Sequence, residues 1–306
     1  MQKTHVMAAP ATRSSAEKLP VSVIVAARNE EKNLPRCLEA LRDVGEVYVI
    51  DSQSTDATPE IARRLGAKVV QFHYQGGWPK KRQWAMDTLP LQFDWILLLD
   101  ADEVLTPDLV SEIREVVQNS QAAGCYIALR MFFLGRALRY GDASFWKLAL
   151  FRRGKAHYEC RLRDQDGSMA DMEVHEHVVV DGPTLRLKNP LLHHNVESLS
   201  RYIQKHDEYS NWEARVLLRG DESGQALPPA LFGNQAQRRR WVKKKLYAVP
   251  GSPVVLFCYR YFLRLGFLDG VPGLIYCGFQ AIQMFHTKAK IYELKARGLA
   301  ANREGN

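Results

Sequence analysis

Short apolar runs alternate with helical segments between residues 21 and 100, and this alternation restricts the fold more than any other feature of the chain. The run at 21–27, VSVIVAA, is followed by a segment in which Leu34, Cys37 and Leu41 recur at helical spacing. Nearly every position of such a run is apolar, which is typical of a parallel strand covered on both faces. We therefore predict an α/β fold with a mostly parallel sheet and helices on both faces.

The same unit of strand and helix recurs until the run WILLLD at residues 95–100. Ser54 or Thr55 is expected to cap the helix of the second unit. The predicted strands lie at residues 21–27, 46–51, 67–72 and 95–100, and the predicted helices within 28–44, 52–66, 80–89 and 106–120.

Beyond residue 120 the strand signals become mixed, and a mixed or antiparallel extension of the sheet is expected there. A long helix is predicted at 196–219, followed by a break that contains glycine and proline at 221–230. The predicted strands of this part lie at residues 124–135, 147–154, 173–182 and 184–194. We divide the chain into a lead at residues 1–19, a main domain at 20–220 and a C-terminal region at 221–306.

The C-terminal region joins a basic cluster to a long apolar segment. The cluster is QRRRWVKKK at 237–245, and the segment at 253–285 is rich in aliphatic and aromatic residues. Charged residues such as Arg260 and Arg264 interrupt the apolar segment, so no uninterrupted span of about 20 residues is available to cross a bilayer. Two amphipathic helices in the membrane interface explain both features, and a helical pair packed on the domain is the alternative.

Charge and cysteine content limit the class of protein. The net charge of +8 favours partners that carry phosphate or anionic lipid. Five scattered cysteines without a CxxC pair suggest neither a disulfide framework nor a zinc site, which fits a cytoplasmic protein. Residues 1–19 lack the apolar core of a signal peptide and are expected to be disordered.

Acidic residues follow three of the predicted strands. Glu30 lies beyond the first strand, Asp51 ends the second, and Asp100 and Asp102 follow WILLL. Carboxyl ends of parallel strands meet at one edge of the sheet, where ligands bind. Carboxylates gathered there need a positive partner, and Mg²⁺ or Mn²⁺, which would recruit a pyrophosphate, is the simplest one. A helix-capping role for the two aspartates is the alternative, but Thr106 is the better cap.

Seven ordered segments together resemble the family 2 glycosyltransferases of the GT-A fold, a Rossmann-like nucleotide-diphospho-sugar transferase fold. More narrowly, the chain is similar to the branch that includes bacterial lipopolysaccharide-core β-glucosyltransferases. The tail, FLDGVPGLIY and KAKIYEL, also fits that branch, so the resemblance covers about residues 20–295. The seven segments are VSVIVAARNEEKNLPRCLEAL, VYVIDSQSTDATPEIARRLGAKV, WILLLDADEVLTPDL, FFLGRALRYG, LFRRGKAHYE, EVHEHVVVDGP and NPLLHH.

The resemblance implies a donor site. Ala26, Arg28 and Glu30 occupy the loop that contacts the nucleoside in the family, and Asp51 matches the aspartate that reads the base and ribose. Asp100 matches the first aspartate of the family's D-x-D motif.

The resemblance also implies a metal and phosphate site. Asp102, with Asp100, matches the D-x-D motif, whose carboxylates hold a cation on the donor diphosphate, and His193 matches a histidine that could reach the metal. Relatives often carry Gln-Lys-Asn where this chain has Lys81, Arg82 and Gln83. We expect Arg82 to contribute to donor binding, with a solvated helix start as the alternative.

Arg152 and Arg153 are a further candidate pair for the diphosphate or the acceptor, with a strand-end turn as the alternative. His194 stands where relatives commonly have an aromatic residue.

An inverting transfer needs a base that takes the proton of the acceptor hydroxyl. Glu176 matches the glutamate of the family's Val-His-Glu motif and is our candidate, and Glu173 competes with it. Alternation along a strand would place Glu176 on the face opposite His175 and His177.

The sequence favours the first of three functions. An inverting, metal-dependent glycosyltransferase would take a nucleotide sugar, expected to be UDP-linked, and act on a lipopolysaccharide-core or other lipid-linked glycan at the inner face of the cytoplasmic membrane, without a nucleic-acid partner. A nucleic-acid-binding protein that uses the cluster at 237–245 is the alternative. A sugar-1-phosphate nucleotidyltransferase would need a glycine-rich loop after the first strand, and AARNEEKN contains no glycine.

Overall fold

The computed structural model describes residues 17–162, 171, 173, 176–194, 198–219, 228–232 and 235–304. The strands are β1 Leu19–Ala27, β2 Val44–Asp51, β3 Lys68–Gln71, β4 Trp95–Asp100, β5 Glu103–Val104, β6 Gly124–Phe133, β7 Arg136–Ala137, β8 Phe145–Arg152, β9 Ala156–Tyr158, β10 Val178–Val180, β11 Thr184–Arg186 and β12 Leu191–His194. The helices are α1 Leu34–Glu39, α2 Thr58–Arg64, α3 Lys81–Thr88, α4 Pro107–Asn119, α5 Leu199–Arg219, α6 Gln235–Ala248, α7 Ser252–Cys258 and α8 Gly270–Glu304.

A parallel core forms the first half of the large sheet, in the order β3-β2-β1-β4. β1 pairs in parallel with both neighbours, with Ala27 opposite Asp51 of β2 and Ala26 opposite Asp100 of β4. The acids predicted at the strand ends therefore reach the same edge of the sheet. We call this edge, at the carboxyl ends of β1, β2 and β4, the crevice.

Helices cover both faces of this core, as predicted. Alternate residues of β1 point to opposite sides, so Val23 packs with α1, α2 and α4, whereas Ile24 packs on the side of α3. Helix α4 begins as the sequence indicates, because the Thr106 hydroxyl accepts the Leu109 N–H at 3.2 Å and Pro107 fills the first helical position. The result is an α/β layer structure with a rigid crevice edge.

The second half of the sheet is mixed and curled. β8 runs antiparallel to β4 and β6, and β12 lies between β6 and β5. Four strand spacings of about 4.8 Å would separate β4 from β5 in a flat sheet, about 19 Å. Asp100 and Glu103, which end β4 and begin β5, are joined by a chain that spans at most about 10 Å. The sheet therefore curls until β5 returns to the end of β4.

The C-terminal helices pack on the end of β6 and on α5. Phe133, Tyr202 of α5 and Tyr276 of α8 form a buried aromatic cluster. The buried Asp269 carboxylate accepts the N–H groups of Arg139 and Tyr140, the latter at 2.9 Å. These contacts attach the C-terminal region to the loop that follows β7.

Several predicted boundaries are corrected. Among the described residues of the strand predicted at 173–182, only 178–180 are in a strand, and the strand predicted at 184–194 is split into β11 and β12. The charged, proline-containing segment at 187–190 interrupts it. Ser54 does not cap α2, which begins at Thr58, because the Ser54 hydroxyl is bonded to Asp51 instead.

In the described residues no single helix is long and apolar enough to cross a membrane. Ser252–Leu263 and Gly266–Gly298 meet the requirement only as a pair, and a 70° bend separates them. Of the predicted lead, residues 1–16 lie outside the described part of the chain, and Leu19 already belongs to β1. The proposed domain division stays a prediction.

Candidate active site

Asp51 lies fully buried at the crevice edge, at the end of β2. Its carboxylate accepts the Gln71 amide at 2.8 Å, the Ser54 N–H at 3.2 Å and the Ser54 hydroxyl. These bonds fix the loop after β2 beside Ala26 and Ala27. The predicted contact of Ala26 and Asp51 with the nucleoside stays a prediction.

Glu30 links the loop after β1 to α5. Its carboxylate contacts Arg201 and Lys205, each at 3.0 Å, and accepts the Asn33 amide at 2.8 Å. Arg201 also donates to the carbonyl oxygen of Arg28, whose side chain is exposed. The loop predicted to contact the nucleoside is thus held from the other side of the crevice by a helix.

Asp100 is surrounded by cations. Its carboxylate forms a salt bridge with Arg82 and lies 3.5 Å from the Lys147 ammonium. Burial would raise the pKa of Asp100, but these two cations hold it well below its usual range. Arg82 also donates to the Glu173 carbonyl at 2.7 Å. The structure therefore brings the two predicted donor-site residues Arg82 and Asp100 together.

Glu103 supports the position of Asp100, both directly and through Lys147. Its buried carboxylate accepts the Asp100 N–H at 2.9 Å and the Lys147 ammonium at 2.8 Å. Burial raises the pKa of Glu103, and Lys147 opposes that effect. The curl of the sheet makes these contacts possible, because Lys147 lies on β8 and Glu103 on β5.

Asp102 and His193 are the other predicted pair that meets. Asp102 Oδ2 lies 3.3 Å from His193 Nε2, and both side chains are largely buried. Burial alone would lower the pKa of His193, but Asp102 and Glu103 raise it to about 9. The ring of His194 instead stacks on Phe132, at 4.4 Å between centroids.

The donor atoms at the crevice fit a divalent cation in part. In the described residues no three His, Cys, Asp or Glu side chains are grouped as a metal site. Asp102 and His193 supply a carboxylate and, once a cation displaces the ring proton, an imidazole side by side, and His193 Nδ1 is buried without a hydrogen-bond partner in the described residues. Mg²⁺ usually takes one or two protein carboxylates and completes its shell with phosphate and water oxygens. Asp100, the third predicted ligand, is engaged by cations.

Glu176 is a buried carboxylate without hydrogen bonds from the described residues. Among the described residues, the Lys80 ammonium forms a salt bridge with it, 3.6 Å from Oε2. Burial raises the pKa of Glu176 to about 7, although Lys80 lowers it. Lys80 and Arg82 are two residues apart at the start of α3, so this turn contacts both Glu176 and Asp100.

Glu173, the competing carboxylate, caps α3. Its two oxygens accept the N–H groups of Arg82 at 3.1 Å and Gln83 at 2.9 Å. An acid at a helix N-terminus satisfies free amides and interacts favourably with the helix dipole. Both oxygens of Glu173 are thus engaged, whereas those of Glu176 are not.

The prediction that Glu176 and His177 alternate along a strand is wrong, because residues 176 and 177 precede β10. Glu176 faces Lys80, whereas the ring of His177 faces Glu159. His175 lies outside the described residues.

The start of α3 is buried rather than solvated. Lys80, Lys81, Arg82 and Gln83 are each less than a tenth exposed. Lys81 donates to the carbonyl oxygen of Ala27 at 3.0 Å, which attaches the helix to the crevice edge, and burial lowers its pKa. The alternative of a solvated helix start is therefore wrong, and the role of Arg82 in donor binding stays a prediction.

Helix α5 contributes a stripe of crevice residues that the sequence reasoning missed. Arg201 and Lys205 contact Glu30, and the Trp212 ring lies 5.5 Å from the Lys80 ammonium. Their spacing of four and seven residues places them on one helical face, which was the available signal. α5 therefore lines the crevice opposite the strand ends.

Arg152 and Arg153 lie away from the crevice. Arg152 is opposite Trp95, at the start of β4, because β8 runs antiparallel to β4. It donates to the Ser120 carbonyl at 2.9 Å, and Arg153 donates to the Leu91 carbonyl at 2.5 Å. Both arginines therefore stabilise loops at the end of the sheet opposite the crevice. The expectation that they flank the diphosphate is wrong.

Comparison with known proteins places these features in a family context. The model of "Glycosyl transferase family 2" matches residues 22–174, half of the chain. The lipopolysaccharide core biosynthesis glycosyltransferase LpsC of Rhizobium meliloti is 27% identical over 92% of this chain and 96% of its own. An uncharacterized glycosyltransferase of Rickettsia conorii is 25% identical over 95% of this chain and 96% of its own.

Two solved structures are among the further matches. Residues 1–349 of TarS from S. aureus, in complex with UDP-GlcNAc, match with a TM-score of 0.44 and 15% identity over 90% of this chain and 91% of that one. Glucosyl-3-phosphoglycerate synthase from Mycobacterium tuberculosis, solved with Mn²⁺, UDP-glucose and phosphoglyceric acid, matches with a TM-score of 0.30 and 21% identity over 40% of this chain and 45% of that one.

Proposed function

The chain belongs to glycosyl transferase family 2 and is a glycosyltransferase, and from this premise we propose an inverting reaction assisted by a divalent cation. A sugar passes from a nucleotide-sugar donor, UDP-linked, to a lipopolysaccharide-core or other lipid-linked glycan. The observation that carries the proposal is the first turn of α3, which contacts the D-x-D residue Asp100 through Arg82 and the buried Glu176 through Lys80.

The donor diphosphate is proposed to bind between the strand ends and α3. Asp102 and His193 would hold Mg²⁺ or Mn²⁺, which supplies charge neutralisation on the departing nucleoside diphosphate. Arg82 and Lys147 already contact Asp100 and Glu103, so fixed positive charge holds these side chains in place. The fixed cations also lower the energy of negative charge that develops on the leaving group.

Glu176 is proposed as the base. Its pKa of about 7 suits proton transfer near neutral pH, and neither oxygen is occupied by a hydrogen bond from the described residues. The acceptor hydroxyl would donate its proton to Glu176 as its oxygen attacks the anomeric carbon opposite the leaving diphosphate. Lys80, at 3.6 Å, stabilises the ionised form that accepts the proton.

A lipid-linked acceptor is supported by the similarity to LpsC, a lipopolysaccharide core biosynthesis glycosyltransferase that aligns along nearly its whole length. The C-terminal surface agrees with such a substrate. Large apolar residues around the bend between α7 and α8 are more than half exposed, among them Val254, Phe262, Leu263 and Val271. We call this exposed group the apolar surface.

We propose that the apolar surface and the exposed cations of α6 lie on the cytoplasmic face of the membrane. Lys244 and Lys245 are exposed beside it and complement anionic headgroups, so the surface provides the two signals that stable association needs. Two further α6 cations, Arg240 and Lys243, are paired with the carboxylates of Glu159 and Glu213. Fewer charges are therefore free for a nucleic acid than the sequence suggests.

Leu263→Asp should release the protein from vesicles of phosphatidylcholine with phosphatidylglycerol, because a charge replaces a side chain that is 75% exposed. The double change Lys244→Glu, Lys245→Glu should weaken binding at least about tenfold, at about 1 kcal/mol for each charge. Co-sedimentation measures both. Leu185→Asp, on β11, is the matched control and should bind normally. Equal binding by all variants, or preferential binding to duplex DNA or RNA, would contradict the membrane assignment.

The donor itself is identified by a panel of nucleotide sugars. Purified protein should release nucleoside diphosphate from one UDP-sugar faster than from GDP- or CMP-linked sugars, and Mn²⁺ or Mg²⁺ should accelerate the release. Chelation with EDTA should return the rate to background, and added cation should restore it. Full activity in EDTA would remove the metal from the proposal while leaving the transferase assignment intact.

A further inference from the structure

The basic cluster of α6 contains two kinds of cation. Arg238, Lys244 and Lys245 are exposed, whereas the Arg240 side chain is only 8% exposed. An arginine is rarely buried unless a carboxylate pairs with it. The burial of Arg240 therefore points to a role apart from the electrostatic one of its neighbours.

Arg240 pairs with Glu159, directly after β9. Glu159 is fully buried, and its carboxylate receives the Arg240 guanidinium, the His177 N–H at 2.8 Å and the His177 ring Nδ1 at 3.0 Å. The backbone N–H of Glu159 donates to the His177 carbonyl at 3.1 Å. Glu159 therefore holds His177 by both its backbone and its ring.

His177 is the residue that follows Glu176. Because Glu159 fixes the backbone of His177, it also fixes the direction in which the Glu176 side chain leaves the chain. Without Arg240, the fully buried Glu159 carboxylate would lose the guanidinium that pairs with it. A buried charge without that partner is costly, and the carboxylate moves toward water, which would release His177.

We propose that Arg240 is a positioning residue for Glu176, acting through Glu159 and His177. This inference rests on the proposed role of Glu176 as the base. It gives the C-terminal region a part in the reaction besides membrane contact, because a residue of α6 completes the support of a group in the main domain.

Other contacts attach α6 to its neighbours, so Arg240 can be changed without detaching the helix. Lys243 forms a salt bridge with Glu213 of α5, and Tyr247 donates to the same carboxylate at 3.0 Å. Lys288 of α8 donates to the Val249 carbonyl at 2.7 Å. These bonds keep α6 attached to α5 and α8 when Arg240 is changed.

The experiment compares Arg240→Met with Arg238→Met, which removes an exposed charge from the same helix. The readout is hydrolysis of the fastest nucleotide sugar of the panel, with water as acceptor, so membrane binding does not enter. Arg240→Met should lower kcat by about 10- to 100-fold, since a misplaced catalytic group costs that order, with the donor KM within about twofold. Arg240→Lys should restore part of the rate. Arg238→Met should match the wild type.

The double variant Glu159→Gln, Arg240→Met tests whether Arg240 acts on Glu176 through Glu159 and His177. It removes the buried charge but keeps an amide oxygen for the His177 N–H, so it should recover most of the rate lost in Arg240→Met and melt near the wild-type temperature. A folded Arg240→Met with the kcat of Arg238→Met, or a double variant no faster than Arg240→Met, would overturn the inference. An active Glu176→Gln would instead contradict the assignment of Glu176 as the base. Failure of the base assignment and failure of the Arg240 inference therefore give different results.

Discussion

Asp102→Asn should reduce sugar transfer by at least about 100-fold, the order seen when a charge-stabilising group is removed from an active site. The change keeps the shape of the side chain, and the Asn oxygen still accepts a hydrogen bond from His193 Nε2, at the present 3.3 Å. The fold should therefore persist. The loss arises because the carboxylate that pairs with His193 no longer offers negative charge to a cation.

Two measurements separate this effect from damage to the site. Titration of Mn²⁺ into protein with bound UDP should show weaker cation binding in Asp102→Asn than in the wild type, whatever the turnover. Asp108→Asn, an exposed aspartate in the first turn of α4, is the control and should change neither quantity. Wild-type turnover of Asp102→Asn with saturating Mn²⁺ would remove Asp102 from the metal site.

Glu176→Gln should lower kcat by about 100-fold or more, because the amide cannot accept the proton of the acceptor hydroxyl. UDP binding should remain, since the nearest charged contact of Glu176 is Lys80 and not a strand-end acid. Glu173→Gln is the informative comparison. It should keep most of its turnover and lose about 1 kcal/mol of stability, because one of the two α3 amides loses its acceptor. Active Glu176→Gln beside inactive Glu173→Gln would move the base to Glu173.

The pKa of Glu176 gives the direction of two pH effects. The base works ionised, so kcat/KM should rise with pH through about 7, and this limb should be absent in Glu176→Gln. The stability of the folded protein changes with pH in the opposite direction to kcat/KM. Because the folded pKa lies above the ordinary 4.5, the stability that protonated Glu176 contributes is complete below pH 4.5 and is lost as the pH rises through about 7.

Glu176→Gln should consequently melt at a higher temperature than the wild type at pH 8. The exposed Glu115→Gln should not, and a lower melting temperature for Glu176→Gln would contradict the burial argument.

The crevice could be predicted from the sequence where local pattern decides the structure. WILLLD at 95–100 is an unbroken apolar run, and it forms β4 with those bounds. Thr106 before Pro107 is a strong helix start, and α4 begins there. Both features depend on neighbours along the chain, so a single sequence carries the whole signal.

The partners of the crevice acids could not be predicted in the same way. Lys147 reaches Glu103 only because the sheet curls, and Arg201 reaches Glu30 across 171 positions of the chain. No periodicity encodes such pairs. The segment around Glu176 differs from the prediction for a related reason, because its valines are typical of a strand, whereas Glu176 and His177 are held by tertiary contacts with Lys80 and Glu159.

The composition of the basic cluster at 237–245 also does not show which of its cations are buried. QRRRWVKKK has the composition of a solvated basic face, yet Arg240 is buried against Glu159 and Lys243 is bound to Glu213. Which cation of such a run turns inward depends on the phase of the helix against its neighbours. That phase is set by packing and cannot be found by counting charges.

The position of β12 has a consequence for the order in which the chain folds. His193 pairs with Glu103 of β5 on one side and with Met131 of β6 on the other, so the last strand of the sheet inserts between two strands made long before it. Contacts of such long sequence separation form late, after the local units. A nascent chain can therefore build the parallel core early, but it acquires the Asp102–His193 pair only when residues 191–194 have left the ribosome.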